Sequence, residues 1–318
     1  MNTTYRICIL GGTGFVGQHL TRRLTAQGHQ VTVISRRRER HRELLVLPTV
    51  SVVDGDVHDP SVLTERLRNI DVVINLIGIL NERGHRGHGF LRAHAELPRK
   101  IADACQRTGV RRLLHMSALN ADENGPSHYL RSKGIGEKAV HAAHANDLRV
   151  TSFRPSVIFG KGDSFTLRFA ALLRNIPWAF PLACPDAVFQ PIYIDDVVTA
   201  FVNALSERRT YNHRYNLCGP KRYTLYDIVH YISVLTGERR HIVALNPWLS
   251  QLQATMMEFV PGKPFSKDNF DSMRVDSVCD AEPAPELQVT PRTMEEVVPG
   301  YIRPQSDPLS ELRRHARR

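Results

Sequence analysis

Gly11-Gly12-Thr13-Gly14-Phe15-Val16-Gly17 is the stretch that decides how this chain is read. It follows Arg6 to Leu10, a short apolar run with the length of a buried strand. It precedes Gln18 to Gln27, which carries Leu20 and Leu24 on one helical face. Strand, glycine turn and helix in that order form a corner that can hold a dinucleotide. Gly11 lets the chain turn out of the strand. Gly14 has no side chain to keep a pyrophosphate away, and Gly17 lets the helix lie close to the sheet. Together with Thr13, Phe15 and Val16, these residues put the free N–H groups of the helix start against the phosphate charge.

Further along, Gln30 to Ser35 alternates as a second strand and ends in Ser35-Arg36-Arg37-Arg38. The residue about 20 positions beyond such a turn meets the adenosine ribose. A carboxylate there would accept the 2′-hydroxyl of NAD(H). Arg36 and Arg37 instead suit a 2′-phosphate, so NADP(H) is expected over NAD(H). Val50 to Asp54 reads as strand three, and Asp56 beside Val57 either caps the next helix or faces the adenine. Asp71 to Ile79 reads as a central strand, with Gly78 leaving room for the cofactor. Leu91 to Thr108 reads as one helix ended by Gly109. Arg112 to Ser117 is strand five and Val150 to Phe159 strand six. Strands alternating with helices predict an α/β fold, a doubly wound parallel Rossmann sheet with a smaller C-terminal substrate lobe. The expected division is residues 1–155 plus about 190–206 for the NADP-binding domain. The substrate lobe takes about 156–189 and 207–300, and a basic tail 301–318. Asp195-Asp196 is expected to cap a helix running to Leu205.

The chain has 318 residues, 42% of them hydrophobic, a formal net charge of +10 and a pI of 9.6. That charge favours anionic ligands, an acidic partner or a membrane surface. Aromatic residues make up 7% and do not alternate with basic ones, which argues against nucleic-acid stacking platforms. The longest largely apolar run, Val72 to Leu80, has nine residues where a membrane helix needs about 20. The first strand starts at about residue 5, so no leader is expected and a cytoplasmic place, with peripheral contact at the inner membrane, is. Five scattered cysteines without CxxC spacing read as reduced, and His85/His88 read as a glycine-rich loop, not a metal site.

Tyr129 and Lys133 stand four apart on a helix after strand five and so share a face. A neighbouring ammonium would lower the tyrosine's pKa from about 10 and ready it for acid–base work during hydride transfer. With this pair, the glycine turn, Arg154-Pro155 and Pro191-Ile192-Tyr193-Ile194-Asp195-Asp196 in that order, the chain resembles extended short-chain dehydrogenases/reductases of the epimerase/dehydratase type. More narrowly, Met116-Ser117-Ala118-Leu119 and Arg154 to Gly162 are similar to the atypical group of the complex I alpha-subcomplex accessory subunit. The resemblance implies Tyr129 and Lys133 as catalytic residues, with Ser117 at the substrate oxygen. It adds Lys133, Pro155 and Val157 to the cofactor site, and His94 stands about where the family carries a relay asparagine. Three functions follow as expectations: an oxidoreductase on a hydroxyl or carbonyl substrate, a non-catalytic NADPH-stabilised accessory protein, or a nucleotide-sugar epimerase or dehydratase.

Overall fold

The computed structural model describes residues 4–302 apart from 83, 177, 239, 261, 262 and 264, with the backbone alone at 145 and 146. Seven parallel strands form the central sheet: β1 (Arg6–Leu10), β2 (Gln30–Ser35), β3 (Val50–Asp54), β4 (Val72–Asn75), β5 (Arg112–Met116), β6 (Arg149–Pro155) and β7 (Arg214–Leu217). Their order is β7-β6-β5-β4-β1-β2-β3. The order reverses between β1 and β4, where sheets of this kind leave a crevice at the strand ends.

Both faces of a parallel sheet must be covered, and the strand sequences allow it. Ile7 and Ile9 of β1 enter one core with Leu20 and Leu24 of α1 (Phe15–Ala26), and with Val197 and Phe201 from Ile194–Asn203. Cys8 and Leu10 enter the other, with Leu63 of α2 (Pro60–Arg66), Ile101 and Cys105 of α3 (Leu97–Thr108), and Val140 of α4 (His128–Ala142). A third core, with Phe159, Phe180 and Met294, gathers α5 (Thr166–Asn175) and, beyond α6 (Ile194–Asn203), α7 (Leu225–Thr236). Ala179–Leu182 pairs there in parallel with His241–Ala244. The helices α8 (Pro247–Met257) and α9 (Lys267–Ser272) also belong to this C-terminal part. It grips α4 at its start. Asp268 accepts from the N–H groups of His128 at 2.7 Å and Tyr129 at 3.2 Å, and the Ser272 hydroxyl donates to Ser127 Oγ at 2.8 Å.

Several sequence expectations are corrected. The helix expected over Leu91 to Thr108 ends at Gly109 as read, but it starts earlier, with His88–Leu91, and carries a π turn over Arg92–Glu96 before α3. The cap of α2 is Asp59, whose carboxylate accepts from Ser61 N at 2.8 Å, leaving Asp56 to accept from His58 N. Asp195 and Asp196 lie inside the first turn of α6, and Tyr193 holds the N-cap position. Strand six stops at Pro155, and Ile158–Phe159 pairs elsewhere, with Ile192–Tyr193. Arg214–Leu217, placed by sequence in the second lobe, is the edge strand of the main sheet. Cys218 and Cys279 are disulfide-bonded across 61 residues, so the reduced reading holds for Cys8, Cys105 and Cys184 alone. Tyr301 and Ile302 belong to a packed turn, Pro299–Ile302, and the rest of the expected tail lies outside the described residues.

Phe153 of β6 is fully buried and meets Phe201 of α6 at a ring-centroid distance of 4.2 Å. Phe153→Ala leaves a cavity at the sheet centre and should cost about 3–5 kcal/mol in urea denaturation. A loss under about 1 kcal/mol would contradict this packing.

Candidate functional site

The glycine turn has the space its residues promised. Gly11 has a φ of +86°, and a Cβ there would meet the Leu76 carbonyl carbon at 3.0 Å. A Cβ on Gly17 would fall 2.3 Å from the Gly11 oxygen, and one on Gly12 would fall 2.8 Å from both Val33 methyls. Gly12 was not singled out from sequence; the doubled glycine was its only signal. At Gly14 the nearest described atom to a built Cβ is the Gly11 oxygen at 3.4 Å, so the space in front is open. The first turn of α1 carries no acidic residue, and Gly14 offers no side chain to cap it. A helix start with no capping side chain or first-turn acid among the described residues suits an anion. Thr13 lends its carbonyl to Gln18 Nε2 at 3.1 Å, Phe15 packs edge-on against His19, and Val16 lies against the core beneath.

At the end of β2, Arg36 and Arg37 are exposed. Arg38 pairs with Glu39 at 3.9 Å, whereas among the described residues neither Arg36 nor Arg37 has an ion-pair partner. Both guanidinium groups are free to meet a phosphate. Asp56 is exposed at the end of β3, and Val57 packs against the second face of the sheet. These positions fit a dinucleotide laid across the strand ends. Pro155 closes β6, with its carbonyl accepting from Leu119 N, and Val157 begins the crossing into the third core.

On α4, the Lys133 ammonium is buried and donates to the Met116 carbonyl at 3.0 Å. Burial pulls its pKa down to about 8, against an opposing pull from Glu137. Gly78 sits directly over it: a Cβ there would lie 3.3 Å from Lys133 Nζ and 3.5 Å from His94 Nε2. His94 accepts from Ile79 N at Nε2, 2.9 Å away, so its proton sits on Nδ1, 3.0 Å from Ser132 Oγ. Ser132 in turn donates to the Tyr129 carbonyl at 2.9 Å. Burial, with Lys133 nearby, drives His94 down to about 2, so it is neutral. The π turn swings His94 inward at this point, which no local sequence signal announces.

Tyr129 corrects the expectation of an acidic phenol. Burial first, and Asp268 second, push its pKa up to about 12. Lys133 spends its described hydrogen bond on Met116, and among the described residues the tyrosine hydroxyl has no hydrogen-bond partner. Its ring stands edge-on to His94 and Phe90, at centroid distances of 5.4 and 6.0 Å. Ser117 lies where expected, at the end of β5, with its hydroxyl buried and unpaired among the described residues. Sequence reading missed His115. Its Nδ1 accepts from Asn75 Nδ2 at 3.1 Å, and its Nε2 is buried without a partner among the described residues. Beyond Phe90 lies a cavity of about 350 Å³ lined by Glu82, His85, His128, Arg131 and Asp268 among others. Among the described residues no group of three or more His, Cys, Asp or Glu side chains could hold a metal.

A parallel sheet in this order with a glycine corner at its switch point defines a nucleotide-binding α/β protein. The chain belongs to the NAD dependent epimerase/dehydratase family, which it matches over residues 7–218. It is similar to NADH dehydrogenase (ubiquinone) 1 alpha subcomplex subunit 9, mitochondrial, of Mus musculus, at 34% identity over 236 residues. That match covers 72% of this chain, which spans only 60% of the mouse protein's length. Ceramide reductase of Caulobacter vibrioides is 34% identical over 199 residues, 62% of this chain and 59% of that protein. The solved structure of MoeE5 in complex with UDP-glucose and NAD superposes with a TM-score of 0.73 at 21% identity, over 93% of this chain and 97% of that one. At that identity the likeness speaks for the fold.

His94, His115 and His141 are all held well below the ordinary histidine pKa, chiefly by burial. An unfolded histidine takes its proton near pH 6.5, while folded His94 stays neutral down to about 2. Between those values the unfolded chain binds more protons, so acid favours unfolding and stability is lost as pH falls below about 6.5. His94→Gln should recover about 2 kcal/mol of the loss between pH 7 and 5. Urea denaturation at both pH values checks this; an unchanged loss in the variant would contradict it.

Proposed function

We propose that this protein binds NADP(H) across the glycine turn and acts as a narrowly specific reductase of a carbonyl substrate. The open space at Gly14, above a helix start without an acidic residue, carries the reading. Arg36 and Arg37 would hold the 2′-phosphate, with Asp56 and Val57 at the adenine. Gly78, Lys133, Pro155 and Val157 would border the nicotinamide end. The fold of a solved neighbour, MoeE5 in complex with UDP-glucose and NAD, and the reductase among the relatives support a nicotinamide dinucleotide here.

The bound dinucleotide would supply the hydride. Tyr129 starts as a protonated phenol, since burial pushes its pKa up to about 12. A phenol can donate to a carbonyl oxygen that gains charge, so the residue suits reduction better than oxidation. Lys133, drawn down to about 8, still carries its charge at neutral pH and would steady the resulting phenolate. Ser117, with its unpaired hydroxyl, would hold the substrate oxygen.

The free arginines imply a cofactor preference. NADPH should bind at least about tenfold more tightly than NADH, since each charge-assisted hydrogen bond is worth about 1.5–3 kcal/mol. Arg36→Ala with Arg37→Ala should erase most of that difference in titration calorimetry. Equal affinities in the parent protein would end the assignment.

A second reading is favoured by the bond of Lys133 to Met116: the dinucleotide stabilises the fold and no turnover follows. Tyr129→Phe separates the two. Under the catalytic reading it lowers NADPH-dependent carbonyl reduction by about 10²–10⁴-fold and spares cofactor affinity. Under the structural reading it is silent, while Lys133→Met weakens NADPH and lowers the melting temperature. Turnover that survives Tyr129→Phe unchanged would overturn the proposed role of the tyrosine.

A further inference from the structure

Helix α8 is built inside out. Its inward positions are Ser250 and Ala254, both buried, while Trp248, Leu252 and Met256 at i, i+4 and i+8 stand outward, 68%, 43% and 65% exposed. The helix is tied down by polar contacts instead of apolar ones. Asn246 caps it through Leu249 N at 2.9 Å, Ser250 Oγ accepts from Cys184 N at 3.1 Å, and Gln253 donates to the Pro181 carbonyl at 3.1 Å. A helix that faces water would show the opposite pattern. Pro247–Met257 contains no charged residue, and the apolar surface continues into Phe259, 80% exposed, and Val260. The chain has two tryptophans, and both are on the surface of this part of the protein, Trp178 being 85% exposed. Large aromatic side chains are rarely left so open without a use.

We propose that the outward face of α8 docks on an anionic lipid bilayer. Tryptophan, leucine and methionine on one face of a short helix, with a phenylalanine just past its end, are side chains that enter the headgroup boundary. The net charge of +10 supplies the attraction to acidic lipid, and past the end of the helix Lys263 and Lys267 stand among Glu258, Asp268 and Asp271. An 11-residue helix is about 16 Å long and about 10 Å wide. By itself that footprint is far below the roughly 800 Å² per partner of a stable protein interface, which favours lipid over a second copy. The position also has a consequence for the cavity. Glu258, just past the end of α8, lines it and meets His85 at 3.0 Å, and the Phe259 ring lies 6.3 Å from His85. Docking would bring that entrance to headgroup level. None of this depends on the cofactor reading.

The test uses the full chain with Trp178→Phe, so that Trp248 is the sole tryptophan. Vesicles of phosphatidylcholine mixed with phosphatidylglycerol should shift its emission to the blue and protect it from iodide quenching. Higher salt should weaken the binding. Adding Trp248→Ser with Met256→Ser to the parent should weaken co-sedimentation with those vesicles by about tenfold or more. The melting temperature should be unchanged, because both side chains are exposed. The fluorescence readout leaves Trp248 and the rest of the α8 face intact and stands even where the double variant fails to fold. An unshifted Trp248 overturns the proposal. So does vesicle binding that survives the double substitution, which would assign it to basic residues alone. Equal binding to pure phosphatidylcholine overturns the anionic assignment. A blue shift that follows protein concentration without vesicles would give the face to a second copy.

Discussion

Helix α1 lies so close to the turn that feeds it that a single added carbon on Gly17 would fall 2.3 Å from the Gly11 oxygen. That contact fixes the direction of α1 over the sheet. It aims the first N–H groups of α1 at the crevice between β1 and β4, and it leaves the space at Gly14 open. Gly12 is held just as tightly from below, against Val33 of β2, so the turn and the second strand are positioned together. The end of β2 then presents Arg36 and Arg37 beyond the strand register that joins Ile9 to Val33 and Leu10 to Ile34.

At the other end of the crevice, the constraint is electrostatic. Lys133 is a buried ammonium held by a backbone carbonyl, and it is surrounded by groups that burial keeps neutral: His94, His115 and the Tyr129 phenol. Desolvation is costly for a lone charge, which explains the depressed pKa of the lysine. Buried hydrogen-bonding atoms on Ser117 and His115 are left without partners among the described residues. Such atoms are the ones a bound ligand can satisfy. The start of α4 is held from outside the sheet by Asp268, so the C-terminal part of the chain helps set where Tyr129 stands.

The parts legible in sequence were those whose physics is local. Glycine chemistry and short apolar runs identified the turn and the first five strands. The rest depends on groups far apart in the chain. Asp268 reaches Tyr129 across 139 residues, and Cys218 reaches Cys279 across 61. The shift of Tyr129 could not be read from its spacing to Lys133, because burial and Asp268 set it and Lys133 bonds to Met116 on β5. The π turn at Arg92–Glu96 left no pattern to detect, and although Arg214 to Cys218 reads as a strand, nothing local shows that it joins the main sheet. The inverted face of α8 shows only in burial, which leaves its large side chains pointing away from the protein.

Native mass spectrometry of the purified full chain, before and after addition of NADPH, tests the central claim most directly. The account predicts a species heavier than the bare chain by the mass of one NADP(H), present on purification or formed on addition. It should disappear when Gly14 is replaced by valine while the protein keeps its folded charge-state distribution. A parent protein that stays at the bare mass in excess NADPH and NADH alike would contradict a dinucleotide site at the glycine turn.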